Sequence, residues 1–465
     1  MNVSLGDSMI VSLSVSNFRS FLSEETFSLA ASNRLSGTHD DHVAPIPGSD
    51  QNVLRIGVLY GANGAGKSNL FKALRYIKSV ALGRREKGRG TAREPFRLAG
   101  TGEDPSTFDL QFIAAGKLYR FGFKADDHRI TEEWLAEVTG GREKTIYERI
   151  TNADGQVTVE APGLKGLGEK LMALVTVGGP QNQSFLATVN VTLNRKDYGD
   201  HLQCVLSWFK EGLEMIGPNV PFGQLGPYLA DNPECLEFAG AFLKSVSTGV
   251  DHLQVSKKEI TEEELRSLLP PDLVSRVLKG LVEDDEGSAL VRLTEGNELL
   301  IERSGENHFY RITVRAAHHS QTGAIMPFEL NEESDGTKRL LNLMPALHGL
   351  HSSTKVYFID EIDRSLHPNL VWEFVNFYLK SCSGCQAQVI ITTHESSLLD
   401  LDLLRRDEIW FAEKDSASAT RLYSLTDFNV RKDLEVRKHY LKGRFGAVPF
   451  LGDLDRLLAE TVHTS

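Results

Sequence analysis

Gly61-Ala62-Asn63-Gly64-Ala65-Gly66-Lys67-Ser68 fits the pattern G-x-x-x-x-G-K-[ST], and it stands between the apolar run Val58-Leu59-Tyr60 and the stretch Asn69-Leu70-Phe71-Lys72-Ala73-Leu74. A strand before and a helix after is the setting in which such a loop wraps its backbone N–H groups around the phosphates of a nucleoside triphosphate. The lysine ammonium then serves the β and γ phosphates, the serine hydroxyl takes a place on Mg²⁺, and the positive end of the helix adds to the field. A glycine-rich turn with a chance lysine is the bland alternative, and the flanking strand and helix count against it. Gly61 through Ser68, with Asn69 behind them, are therefore the expected nucleotide-binding residues.

Two later segments extend this site. Lys355-Val356-Tyr357-Phe358-Ile359-Asp360-Glu361 is a short apolar strand ending in adjacent carboxylates, as a buried strand of a parallel sheet would if it delivered them to the nucleotide. Asp360 is placed to hold the metal with Ser68, and Glu361 to polarise an attacking water. Strand-end carboxylates are otherwise commonly solvated caps. Gln388-Val389-Ile390-Ile391-Thr392-Thr393 is a second apolar, β-branched run that finishes at His394. A histidine there can donate to the γ phosphate or its neighbouring water, whereas a lone histidine is ordinarily a surface or satisfied residue. A further piece, Glu333-Ser334-Asp335-Gly336-Thr337, opens an apolar helix from Leu340 to Leu350. Ser334 and Gly336 offer donors to an anion; equally, Ser334 is an ordinary N-cap.

Composition bounds the class. The chain has 465 residues, 41% hydrophobic and 25% charged, enough for a large core in one elaborated domain or two. No apolar stretch reaches the roughly eighteen residues of a membrane helix, so a transporter carrying its own channel is excluded and a cytoplasmic protein without a membrane partner is expected. Four cysteines show no disulfide framework, and Cys382-Ser383-Gly384-Cys385 reads as free thiols rather than a metal or redox site. The net charge of −12 argues against a DNA-coating protein. One stretch runs the other way: Arg84-Arg85-Glu86-Lys87-Gly88-Arg89-Gly90-Thr91-Ala92-Arg93 reads as a mobile solvated loop, with contact to nucleic acid or a partner as the alternative.

Pattern divides the chain. Residues 1–160 hold the phosphate loop within short alternating runs such as Ser106 to Ile113 and Lys117 to Phe123, an antiparallel lobe around the nucleotide strand. Residues 161–283 read as a helical insertion, with Leu202 to Met215, Cys235 to Ser247 and Thr261 to Leu268 as helices and no heptads for a coiled-coil arm. Residues 284–427 alternate strands and helices after strand-like runs at Ser288 to Arg303 and Phe309 to Ala316. The tail 428–465 carries an apolar helix, Leu451 to Leu458, and the eight residues before Met9 read as dispensable.

In this order, phosphate loop, Ser-x-Gly helix start, Asp-Glu strand and Thr-His strand resemble the ATP-binding cassette ATPases of the SMC and OLD branch. The whole chain is similar to the ABC-type ATPases of bacterial abortive-infection loci, the ATPase subunits of Septu, PARIS and certain retrons. Leu13 to Phe21, Asp360 to Pro368, Arg406 to Glu413 and Gly443 to Ala447 share in the resemblance. It implies an α/β ABC-type head with an antiparallel β lobe, a mixed or parallel core sheet and a helical insertion. It also implies ATP and Mg²⁺ as cofactors and a homodimer or higher oligomer of heads, in which Ser334 and Gly336 act in trans. Catalysis would fall to Glu361, His394 and Lys67, and the loop Asp363 to His367 would lie along the dimer seam. Two features depart from the pattern: Glu333 to Thr337 replaces Leu-Ser-Gly-Gly-Gln, and the metal-contacting glutamine between Lys67 and Phe108 is unassigned. The resemblance, with no nuclease motif in the chain, implies regulation of a separately encoded nuclease or toxin in antiphage defence. The alternative is a DNA-maintenance ATPase acting on nucleic acid directly. A GTPase is disfavoured, since no Asn-Lys-x-Asp motif occurs.

Overall fold

A computed structural model of the chain describes residues 8–86, 88–218, 225–282, 288–292, 298–304, 308–348, 354–381, 387–429 and 435–448. Its strands are β1 (Met9–Ser16), β2 (Glu25–Ser28), β3 (Val43–Pro45), β4 (Asn52–Leu54), β5 (Ile56–Tyr60), β6 (Ser106–Ala114), β7 (Lys117–Ala125), β8 (Ile130–Thr139), β9 (Arg142–Thr151), β10 (Val157–Glu160), β11 (Leu213–Ile216), β12 (Val250–Ile260), β13 (Ser288–Arg292), β14 (Glu298–Ser304), β15 (His308–His319), β16 (Ile325–Glu329), β17 (Val356–Ile359), β18 (Gln388–Thr393), β19 (Ile409–Lys414) and β20 (Thr420–Ser424). The helices are α1 (Lys67–Leu82), α2 (Glu169–Val177), α3 (Phe185–Thr192), α4 (Asp200–Ser207), α5 (Leu225–Asp231), α6 (Pro233–Ser245), α7 (Glu262–Leu268), α8 (Pro271–Val282), α9 (Asp335–His348), α10 (Pro368–Ser381) and α11 (Val436–Leu441). Two compact units result: Met1–Met215 with Ser353–Glu361 and Cys382–Ser465, and Ile216–Ser352 with Ile362–Ser381.

The first unit contains two large sheets. Antiparallel strands in the order β10-β9-β8-β7-β6-β1-β2 form one. Its strands alternate as a one-sided sheet must; β6, for example, buries Phe108, Leu110 and Phe112 and turns Thr107, Asp109 and Gln111 outward. The other sheet runs β11-β17-β18-β5-β19-β20, with β17, β18, β5 and β19 parallel and β20 antiparallel to β19. Every residue of β5, β17 and β18 is buried, which is why these strands read as unbroken apolar runs: both sheet faces are covered.

Helix α1 lies between the sheets. Its apolar residues Leu70, Phe71, Leu74 and Ile77 recur at three and four positions and are all buried. Phe71 meets Phe358 of the parallel sheet edge-on at 5.4 Å, while Tyr76 packs on Phe108 at 5.1 Å and Phe123 at 5.9 Å in the antiparallel sheet. Each such ring removed from water contributes about 1.5–3 kcal/mol, so the helix that opens at the phosphate loop is fixed from both sides.

The second unit is built on an antiparallel sheet β12-β15-β14-β13, with β16 also paired to β15. Ile260, Leu265, Leu269, Val274, Leu299, Ile301 and Phe309 form a core where α7 and α8 meet this sheet. Helix α7 begins with a capping box, Thr261 Oγ1 accepting from Glu264 N and the Glu264 carboxylate accepting from Thr261 N.

Several expectations change in the structure. The phosphate-loop strand β5 lies in the parallel sheet and not within the antiparallel lobe, because its continuous apolar sequence suits burial on both faces. The run Leu202 to Met215 is not one helix. Helix α4 stops at Ser207, a π-turn spans Trp208–Gly212, and β11 joins the sheet edge beside β17. Tertiary pairing there overrides local helix preference. Val250–Ile260 is likewise a strand inside the stretch read as helical. The basic stretch from Arg84 is pinned rather than loose: Asn182 Nδ2 donates to Glu86 O at 3.0 Å and to Arg89 O at 2.5 Å, and Tyr76 Oη donates to Thr91 O at 3.0 Å. Arg93 is buried with its Nε 2.7 Å from Asp127, so it is no part of an open basic surface. Lys87, the Cys382–Cys385 pair, the end of the Leu340 to Leu350 helix and the Leu451 to Leu458 helix lie outside the described residues.

Candidate functional site

Parallel pairing decides where the site residues meet. Ile359 of β17 pairs with Ile391 of β18, and Thr393 of β18 pairs with Tyr60 of β5. The carboxyl ends of three adjacent strands therefore open at one edge, the place where α/β sheets receive ligands. From Tyr60 the chain enters the loop Gly61–Gly66 and winds directly into α1 at Lys67.

The loop's glycines are required by its backbone and its neighbours. Gly64 and Gly66 have φ of 80° and 110°, values that favour glycine. A Cβ on Gly66 would lie 2.1 Å from Thr420 Oγ1 and 2.8 Å from Ser20 Oγ, and one on Gly61 would lie 2.5 Å from Ala412 O. The loop thus rests on β19 and β20. Thr420 Oγ1 stands 2.8 Å from Ala65 O and 2.8 Å from Ser20 Oγ, Thr420 N donates to Ser20 O at 2.7 Å, and Asn69 Nδ2 donates to Ser20 Oγ at 2.7 Å. Asn63 and Gly64 are exposed at the mouth of the loop.

Within this frame the charged groups are held closely. Lys67 is buried, and its Nζ donates to Gly61 O at 2.6 Å and Ala62 O at 3.2 Å, so the ammonium lies folded over the loop. Ser68 Oγ donates to Asp360 Oδ1 at 3.2 Å, joining residues far apart in sequence. Asp360 is 2% exposed, and the buried Thr392 hydroxyl donates to the same Oδ1 at 2.5 Å. Thr392 Oγ1 in turn accepts from Glu361 N at 2.8 Å. Glu361 has φ of 48°, a left-handed conformation that costs a non-glycine residue about 1–3 kcal/mol and persists where surroundings over-determine it. One threonine therefore holds the Asp360 carboxylate and the Glu361 backbone.

These groups can do defined chemistry. A serine hydroxyl beside a carboxylate is a hard oxygen donor set suited to Mg²⁺. An ammonium, turned amides and the start of a 16-residue helix suit phosphate. Glu361 stands next along the chain from the metal-type carboxylate. A cavity of about 260 Å³ opens beside the first turn of α1, with Arg19, Ser20, Asn69, Phe96, Arg97 and Lys414 among its lining residues.

The remaining expected residues stand elsewhere. His394 directly follows β18 and is exposed; the preceding Thr393 Oγ1 accepts from Glu395 N at 2.9 Å. Ser334 and Gly336 belong to the second unit, at the start of α9. Ser334 Oγ accepts from Thr337 N at 3.1 Å, so it does serve as the N-cap. A Cβ on Gly336 would lie 2.9 Å from Ser365 O, so glycine admits the loop ahead of α10 to the helix start. Thr392, Ser20 and Thr420 were not expected from the sequence. A hydroxyl at the end of a fully buried strand must be bonded, which is the signal that could have found Thr392; no local pattern links Ser20 to Thr420.

A family model described as "AAA domain, putative AbiEii toxin, Type IV TA system" matches residues 56–164 and 193–400, together more than half of the chain. No curated protein matches it. Similar solved structures include an SMC head domain from Thermotoga maritima, 13% identical with TM-score 0.35, covering 89% of this chain and 98% of that one. Another is an SMC head bound to the C-winged helix domain of ScpA, 13% identical with TM-score 0.37, covering 89% and 97%. A third, an SMC head with an extended coiled coil bound to the C-terminal domain of ScpA from Pyrococcus furiosus, is 12% identical with TM-score 0.30, covering 90% and 96%.

Proposed function

Since the chain belongs to the AAA-domain family whose model it matches, we propose that it hydrolyses ATP with Mg²⁺ in a pocket completed by a second copy, and that this cycle restrains or releases a separately encoded nuclease or toxin in antiphage defence. The observation that carries the chemical part is the bonded set Ser68, Asp360, Thr392 and Glu361 at the strand ends beside Lys67. Ser68 and Asp360 would hold the metal, which would supply positive charge against the phosphates. Lys67 and the amides of Gly61–Gly66 would bind the phosphates, with Asn69 behind them. Glu361 would orient the attacking water and take up its proton, and His394 would contact the γ phosphate. Ser334 and Gly336 of the second copy would close over the nucleotide. Positioning and electrostatics supply nearly all the rate acceleration in such sites.

The effector reading is supported by the family description, which names a putative toxin of a type IV toxin–antitoxin system, and by the lack of a nuclease motif in the sequence. Among the described residues no helix is long and apolar enough to cross a membrane. The test is Glu361→Gln. Phosphate release should fall by about 10²–10⁴, while a fluorescent ATP analogue still binds and light scattering detects an ATP-dependent dimer. Wild-type turnover in that variant removes Glu361 from its role. Turnover stimulated by duplex DNA with steep salt dependence would instead assign the DNA-maintenance function.

A further inference from the structure

Outside the nucleotide site, the segment His39-Asp40-Asp41-His42 gathers four side chains of metal-ligating type. Ligand atoms of His39, Asp41 and His42 lie within 4.8 Å of one another, and the two imidazoles stack with centroids 4.8 Å apart. We propose that His39, Asp41 and His42 bind one borderline divalent transition cation, Zn²⁺ foremost, as a clip between this turn and the segment Leu401 to Glu408.

Each imidazole has its other nitrogen engaged as in metal sites. His39 Nε2 lies 3.1 Å from Leu401 O, and His42 Nδ1 lies 2.9 Å from Glu408 Oε1. A ligating histidine almost always donates its second ring N–H to a carbonyl or carboxylate, which fixes the ring and raises its basicity. These contacts direct His39 Nδ1 and His42 Nε2 to be the donors. The two central aspartates divide the labour. Asp40 accepts from Gly37 N at 2.9 and 3.2 Å and faces Arg405 at 3.9 Å, so it holds the turn, whereas Asp41 is exposed and takes the ligand role.

The surroundings favour a cation. Arg405 pairs with Asp407 at 2.9 Å, and the carboxylates beside the imidazoles are the exposed Asp41 and the buried Glu408, which accepts from Arg405 N at 2.7 Å. His39 adopts φ 47° and ψ 54°, a left-handed conformation imposed on a non-glycine residue. Two imidazoles and a carboxylate with positions left for water suit Zn²⁺ and its first-row neighbours better than Mg²⁺.

The experiment is equilibrium dialysis of the full chain against Zn²⁺ with metal analysis, alongside His39→Ala and Asp41→Ala. Both altered residues are at least partly exposed, so the variants should retain wild-type circular dichroism and ATP binding. Expected are a bound zinc that weakens about tenfold or more in each variant, a zinc-dependent rise in thermal stability in wild type alone, and Co²⁺ absorption bands that vanish in both. Zinc retained equally by all three proteins, or by none, overturns the assignment, as does preference for Mg²⁺.

Discussion

Thr392 is the most economical place to test how the site is built. Replacing it by Val keeps the shape and removes the hydroxyl that donates to Asp360 Oδ1 at 2.5 Å and accepts from Glu361 N at 2.8 Å. A hydrogen bond to a charged group contributes about 1.5–3 kcal/mol, and an amide deprived of its acceptor costs about 1–3 kcal/mol where water is excluded. Asp360 keeps Ser68 as a second donor, which offsets part of the loss. A net destabilisation of about 2–4 kcal/mol follows, read as a lower urea midpoint. The functional effect should exceed this. Without its bond to Thr392, the strained turn at Glu361 relaxes, and a displacement of about 1 Å costs roughly 10² in rate. Phosphate release under saturating ATP should thus fall about a hundredfold, with ATP affinity changed only a few-fold because Lys67 and the loop are untouched. Thr392→Ser retains the hydroxyl and should restore most of the rate. Turnover of Thr392→Val within about twofold of wild type, measured beside the same urea curve, would refute this account of how Glu361 is positioned.

Two further substitutions probe the frame. Gly66→Ala places a Cβ 2.1 Å from Thr420 Oγ1 at φ 110°, so the loop must shift; strain of about 1–3 kcal/mol corresponds to roughly 5- to 150-fold weaker nucleotide binding by titration. Gly64→Ala, with nothing within 4 Å of its Cβ, should weaken binding less, and the reverse order would contradict the packing described. Phe71→Ala removes the ring that meets Phe358 at 5.4 Å and should destabilise the protein by about 3–5 kcal/mol in urea unfolding.

Local pattern carried much of the architecture. The loop from Gly61 to Ser68 needs glycine at fixed places, and strands buried on both faces must be continuous apolar runs, so β5, β17 and β18 were readable with their terminal residues. Adjacency of Asp360 and the end of β18 also followed, because two such strands with helical crossovers pair in parallel. Illegible were contacts whose partners share no local signal. Leu213 to Ile216 becomes a strand only because the edge beside β17 accepts it, and Arg93 is buried only because Asp127 and the Asp104 and Gly102 carbonyls surround it. The positive φ of Glu361 has no residue-type signature at all.

The Ser20–Thr420 contact shows why such pieces matter to function as well as to fold. The hydroxyls lie 400 positions apart in sequence yet 2.8 Å apart in space, and Thr420 also stands 2.8 Å from Ala65 O within the phosphate loop. Ser20 follows a tight turn in which Asn17 and Arg19 both take positive φ, and Arg19 N donates to Glu94 O at 2.7 Å. The loop is therefore not a free glycine-rich turn on the end of β5. It is seated against β20 and the turn after β1, which leaves glycine as the residue that fits position 66. A loop held in this way has little reorganisation left when anionic oxygens arrive, which is the condition under which fixed dipoles and an ammonium stabilise charge most effectively.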